Sequence, residues 1–307
     1  MDVEMQSDAG ADAGTAESAA CVTLGRGVAT EECAALARAH PHPRDKGIAF
    51  EEEEHKYFRV SADGVVSTTP FGLSVTGLLH KVDPKPFVEE EALAAIRNAY
   101  TPNPKYAGMS DAEILESWKA ANRDGTTLHG LMERFLNGAP TSLAGLPASF
   151  ETEFNMLRVW YSEKVAEGWV VHRTEWVIYT DEVYDLAGSV DCVLYHAGRD
   201  EYMIVDWKRC DITRYFETAF KNAKLLPPMD AVPASKRAHW KLQVNLYRHM
   251  LTKYYGLRVA GMCMVVSHAA TNTTGVAVEI WHEEMDVTPL MELARASGAD
   301  ASASAPA

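Results

Sequence analysis

Between residues 126 and 136 the apolar side chains Leu128, Leu131, Met132, Phe135 and Leu136 fall on one stripe, the period of a helix. The same period runs through 86–100, 110–122, 150–167 and 235–255. Ser110 opens the second of these with Glu113 three residues on, a capping box, and Gly256 closes the last. Elsewhere the pattern turns β. Segments 169–179, 186–195, 202–207, 259–267 and 276–281 are rich in β-branched and aromatic residues, and 47–60 reads as two short strands around the acidic turn Glu51–Glu54. Helices first, then a meander of strands, a helix and two more strands predict an α/β or α+β sandwich.

Composition adds boundaries. The chain has 307 residues, 47% hydrophobic and 23% charged, which suits one large domain or two small ones. Residues 1–45, small and acidic, predict a mostly disordered tail with a short helix over 31–39. Residues 297–307 predict a second tail, which leaves a folded unit over 46–296. No apolar run approaches the ~18 residues of a membrane span. The acidic opening lacks a secretory leader's basic and apolar regions. The five cysteines show no paired spacing. Together these predict an intracellular protein of a reducing compartment, such as cytoplasm, nucleus or viral factory, not secreted and not membrane-bound. The net charge of −14 argues against nucleic acid until it is divided by region. Residues 206–258 carry eleven bases against four acids. That stretch is either a solvated helix face or a phosphate path.

The chemistry is concentrated where strands carry charges. Glu175, Asp191, Asp206 and Lys208 all interrupt apolar β segments. Asp206 and Lys208 share a face at period two, directly after an apolar run that should be buried. Asp191 lies fifteen residues earlier, the spacing of an antiparallel hairpin, whose strands sit about 4.8 Å apart. Two carboxylates so placed can converge on Mg²⁺ or Mn²⁺, with Lys208 beside the ion to orient a water or steady negative charge. His129 and Glu133, four apart, share a helix face and can add an imidazole ligand and a carboxylate that is an outer ligand or holds the imidazole. Gln243 and Tyr247 share another face and can grip phosphate or stack on a base. Each feature also has an ordinary explanation. Asp-x-Lys is commonly a surface pair, Glu175 can pair with Arg173, and Gln243 and Tyr247 can be plain helix packing.

In order along the chain stand G-x-x-x-H (Gly125 to His129), a strand bearing Glu175, G-x-x-D (Gly188 to Asp191), D-x-K (Asp206 to Lys208) and Q-x-x-x-Y (Gln243 to Tyr247). This series resembles the PD-(D/E)XK nuclease superfamily, in its RecB-type exonuclease branch, and the segment before Gly125 is similar to the helical flank of mitochondrial and viral members. The resemblance implies a restriction-endonuclease-like α/β core, a mixed central sheet flanked by helices. It implies a metal held by His129, Asp191, Asp206 and the Trp207 carbonyl, a catalytic Lys208 with Glu175 in the same site, and DNA contacts or bracing from Gln243 and Tyr247. Lys236, Arg237 and Lys241 would then lie along the DNA path. The implied activity is Mg²⁺- or Mn²⁺-dependent hydrolysis of DNA phosphodiesters, as an exonuclease on single strands or duplex ends. A structure-specific or site-specific endonuclease and a non-cutting DNA-binding subunit are the alternatives. The cysteines do not match the iron–sulfur members of the branch, so no cluster is expected. With no P-loop motif in the chain, a helicase or a replication or recombination factor would be a separate partner.

Overall fold

The computed structural model describes residues 31–85, 88–100, 103–212, 223–270, 272 and 274–303. A short helix α1 (Ala35–Ala39) and a 3-10 turn (Pro43–Gly47) lead into β1 (Ile48–Glu51), β2 (Lys56–Val60) and β3 (Val66–Pro70), an antiparallel sheet of three strands. Next come β4 (Leu73–Ser74), α2 (Val75–Lys81), α3 (Glu89–Arg97), the long α4 (Asp111–Leu136) and α5 (Ala148–Ala166). The main sheet is completed by β5 (Trp169–Tyr179), β6 (Leu186–His196), β7 (Glu201–Arg209), β8 (Val259–Ser267) and β9 (Val278–Trp281). Helix α6 (Lys236–Tyr255) lies between β7 and β8, and α7 (Thr288–Ala303) follows β9.

Strand β6 is the hub. β5 runs antiparallel along one edge. The other edge is shared by β4, parallel at Leu186 and Ala187, and β7, antiparallel from Cys192 to His196. β7 pairs with β8 in parallel, which requires a crossover, and α6 supplies it. Helices cover both faces. Val75, Leu78, Leu242, Leu246, Leu290 and Met291, from α2, α6 and α7, pack on one face against Val190, Ile204 and Met264. Leu128, Met132, Leu157 and Trp160, from α4 and α5, pack on the other against Leu194, Val205 and Trp207. The α/β class with a mixed sheet between helices is the architecture of this chain. Among the described residues no helix is long and apolar enough to cross a membrane.

Four differences from the sequence reading have physical causes. The helices expected over 110–122 and 126–136 are one, α4. A helical Gly125 costs only about 1 kcal/mol against Ala and removes no hydrogen bond, so it interrupts nothing. Residues 31–45, assigned to a disordered tail, are packed instead. Cys33 and Ala34 are buried, and Asp45 pairs with Arg173 at 2.7 Å while accepting the Trp176 indole N–H at 3.0 Å. Residues 1–30 of that tail lie outside the described residues. At the other end α7 continues to Ala303, past the expected boundary at 296. Finally β3, β4 and α2 went unread, because each is too short to display a period.

Candidate active site

The ladder between β6 and β7 starts at His196 opposite Glu201 and stops at Cys192 opposite Val205. β7 runs on for four residues, Asp206 to Arg209, bonded along one edge to β8. Where the strands part, side chains take over the backbone groups. Asp191 Oδ2 accepts the Trp207 N–H at 2.9 Å. His129, carried in by α4, donates from Nε2 to the Trp207 carbonyl at 2.9 Å. In a neutral ring this leaves the lone pair on His129 Nδ1, which faces Asp191 Oδ2 at 3.5 Å. Two acceptors this close need a proton or a cation between them. The Trp207 carbonyl, expected as a ligand, is thus engaged by His129, an arrangement that could not be read from the spacing.

Glu175 comes from β5. Its neighbours Thr174 and Trp176 pair with Cys192 and Val190, so it stands across from Asp191. It holds φ at +40°, a region that non-glycine residues enter at a cost of order 1–3 kcal/mol and chiefly at functional sites. β6 is irregular at the same level. Leu186 and Val190 face the α6 core, but beyond Asp191 it is Val193 that does so, a slip of one residue. Arg173 is committed to Asp45, which leaves Glu175 with the Ser189 hydroxyl as its donor, at 3.2 Å. One ligand atom each from His129, Glu175 and Asp191 lie within 4.8 Å of one another.

The electrostatics match a site built for positive charge. Burial, then the Asp191 and Glu133 carboxylates, push Glu175 well above the ordinary carboxylate range. Asp206 is 1% exposed and paired with Lys208, yet its Oδ1 has no hydrogen-bond partner among the described residues. Burial raises it to about 6, against the pull of Lys208. For Lys208 burial opposes the charge, but Asp206 and Asp191 outweigh it and raise the ammonium above its usual value. Glu133, one turn beyond His129, is pushed to about 7 by burial and by Glu52. Through Glu52 the acidic turn between β1 and β2 therefore reaches the electrostatic neighbourhood of the site.

Other expected residues behave differently. Tyr247 is 3% exposed, and Gln243 donates to its hydroxyl at 3.2 Å. Its ring lies against Gly188, where an added Cβ would meet Tyr247 Cε1 at 2.9 Å. Tyr247 therefore braces β6 from beneath, with Gln243 holding its hydroxyl, and a ring so buried has no face for a base. The basic stretch is partly neutralised. Lys241 pairs with Glu283 at 3.6 Å, Arg248 with Glu284 at 2.5 Å, and Arg209 with Glu153 and Asp124. Lys224, Lys236 and Arg237 are exposed, while Arg214 and Lys221 lie outside the described residues. Sequence reasoning missed Tyr57, a buried phenol on β2 whose pKa is raised by burial and by Glu175, and Ser189. Nothing in their spacing singles them out, since only the packing of the small sheet on β5 and the side-chain pairing within β5–β6 bring them to Glu175.

No family model matches the chain, and no curated protein matches it.

Proposed function

We propose that the chain is a metal-dependent DNA nuclease of the PD-(D/E)XK type, and an exonuclease acting on single-stranded or end-containing DNA. The observation that carries this is the meeting of His129, Glu175 and Asp191, from three separate elements, within 4.8 Å. The Asp206–Lys208 pair stands beside them on the strand that Asp191 holds. The donors fit a divalent ion. His129 Nδ1 and Asp191 Oδ2 face each other, Asp206 Oδ1 is buried without a donor among the described residues, and burial together with neighbouring carboxylates raises both Glu175 and Asp206, a penalty that a cation would relieve. Mostly hard oxygens with one imidazole suit Mg²⁺ or Mn²⁺.

When bound, such an ion supplies Lewis acidity, lowering the pKa of a water and offsetting charge on phosphate. The protein's own groups do the rest. Glu175, Asp191 and His129 hold the ligand atoms, and the Trp207 carbonyl fixes the imidazole so that Nδ1 faces inward. Lys208 stays cationic because of its carboxylate neighbours, and so stabilises negative charge developing on phosphate oxygens. The exposed Lys224, Lys236 and Arg237 offer phosphate contacts. The test is cleavage of linear and circular single-stranded DNA with Mg²⁺ or Mn²⁺ and with chelator. Loss of the linear substrate alone supports an exonuclease, cutting of both an endonuclease, and cutting of neither leaves a DNA-binding subunit.

A further inference from the structure

Arg209 belongs to the basic stretch, yet its guanidinium turns into the protein. Its Nε donates to Glu153 Oε2 at 2.7 Å, an NH group lies 3.1 Å from Asp124 Oδ2, and its carbon sits 5.2 Å from the Phe150 ring centroid. Glu153, on α5, is 1% exposed, and its other oxygen accepts the Ala269 N–H at 3.0 Å. One buried carboxylate thereby joins α5 to the last residue of β7 and to the chain just past β8. Through Asp124 the same guanidinium reaches α4, five residues before His129.

The placement matters because of how β7 ends. Beyond Val205 the strand has lost β6 as a ladder partner. Alternation puts Asp206 and Lys208 on one face and Trp207 and Arg209 on the other. Trp207 is wedged edge-on against Trp160, ring centroids 5.3 Å apart, and Arg209 is held by Glu153. The face opposite the chemistry is therefore anchored at both of its positions.

We propose that Glu153 and Arg209 are positioning residues, a clamp that fixes the end of β7 where it has parted from β6 and is laddered to β8 alone, and with it the bearing of Asp206 and Lys208; this rests on the nuclease reading above. A carboxylate and a guanidinium buried together are weak evidence for stability alone, whereas a bidentate-capable fork fixes direction. The clamp acts on the geometry of the reacting groups and leaves substrate binding alone.

The experiment uses the full chain as wild type, Glu153→Gln and Arg209→Lys. The lysine variant keeps the charge and loses the fork. Steady-state cleavage of a fluorescent single-stranded oligonucleotide in Mn²⁺ is measured together with thermal melting and hydrogen exchange at Trp207 and Lys208. Arg209→Lys is expected to stay folded, with kcat lower by about ten- to a hundred-fold, KM changed by less than about two-fold, and faster exchange at those two amides alone. An unchanged kcat with unchanged exchange would overturn the clamp, and so would a raised KM at full kcat, which would make Arg209 a phosphate contact. If Glu153→Gln fails to fold, Arg209→Lys decides. If the wild type cuts no DNA, the nuclease reading has failed, and exchange at Trp207 and Lys208 still decides whether the pair pins the strand.

Discussion

The Trp207 N–H donates to Asp191 Oδ2 at 2.9 Å, tying the two acidic strands together where their ladder ends. The same oxygen faces His129 Nδ1. Asp191 is therefore both a strut and a ligand, and the two roles can be separated. An asparagine oxygen can still accept the Trp207 N–H but carries no charge. Asp191→Asn should melt close to wild type and lose metal-dependent cleavage by more than about a hundred-fold, since even outer partners of metal ligands cost ten- to a hundred-fold. Melting curves with activity assays check it, and a folded variant of normal activity would remove Asp191 from the site.

His129 bonds the Trp207 carbonyl through one nitrogen and offers the other to the acids. His129→Ala strips both, leaving a carbonyl short of its donor at a cost of about 1–3 kcal/mol. Imidazole suits Mn²⁺ better than Mg²⁺, so the loss of activity should be larger in Mn²⁺. Parallel titrations with the two ions measure this. Equal losses would make His129 a structural donor only.

Tyr247 is a brace under β6. Gly188→Ala should destabilise the fold by about 1–3 kcal/mol, because its Cβ would meet Tyr247 at 2.9 Å and Val75 at 3.0 Å with no room to yield. Tyr247→Ala should likewise lower the melting temperature while leaving affinity for single-stranded DNA near wild type. Weakened affinity in a variant of unchanged stability would restore a base-stacking role.

Glu133 sits near 7 and Glu175 well above its ordinary value, both first through burial. A folded pKa above the unfolded one means that the native state holds more protons across the interval. These two groups therefore cost stability as pH rises from the usual carboxylate range towards 7. The half-buried His172 and His282, lowered to about 4 chiefly by desolvation, work in the opposite sense over much of that window. They are common to wild type and variants, so the difference is the useful measure. Without metal, Glu133→Gln and Glu175→Gln should gain melting temperature relative to wild type as pH goes from about 4.5 to 7, and Mn²⁺ should shrink the gain. A gap that is flat with pH would show that these carboxylates are not held neutral.

The long elements were legible because periodicity survives at their length. β5 and β8 begin and end where the pattern put them, and Gly256, at φ +69°, ends α6 as its position suggested. Charged residues within apolar strands marked Glu175, Asp191, Asp206 and Lys208 for the same reason, since a buried charge stands out against its neighbours. What the sequence left hidden is pairing across distance. The Trp207 carbonyl bonds His129 from 78 positions away, and Glu153 meets Arg209 from 56. Tyr247 is a phenol on a helix face in either role, and only burial decides between core and surface. The tail assignment missed at 31–45 because Asp45 finds Arg173, a partner on another element.

The most direct measurement is cleavage of linear single-stranded DNA by wild type and Asp206→Ala, each shown to be folded, in Mg²⁺ or Mn²⁺ and again in chelator. The expected result is cleavage by wild type with metal, none in chelator, and none by the variant under any condition. Cleavage that persists in chelator, or a folded Asp206→Ala that turns over normally, would contradict a metal-dependent nuclease centred on these residues.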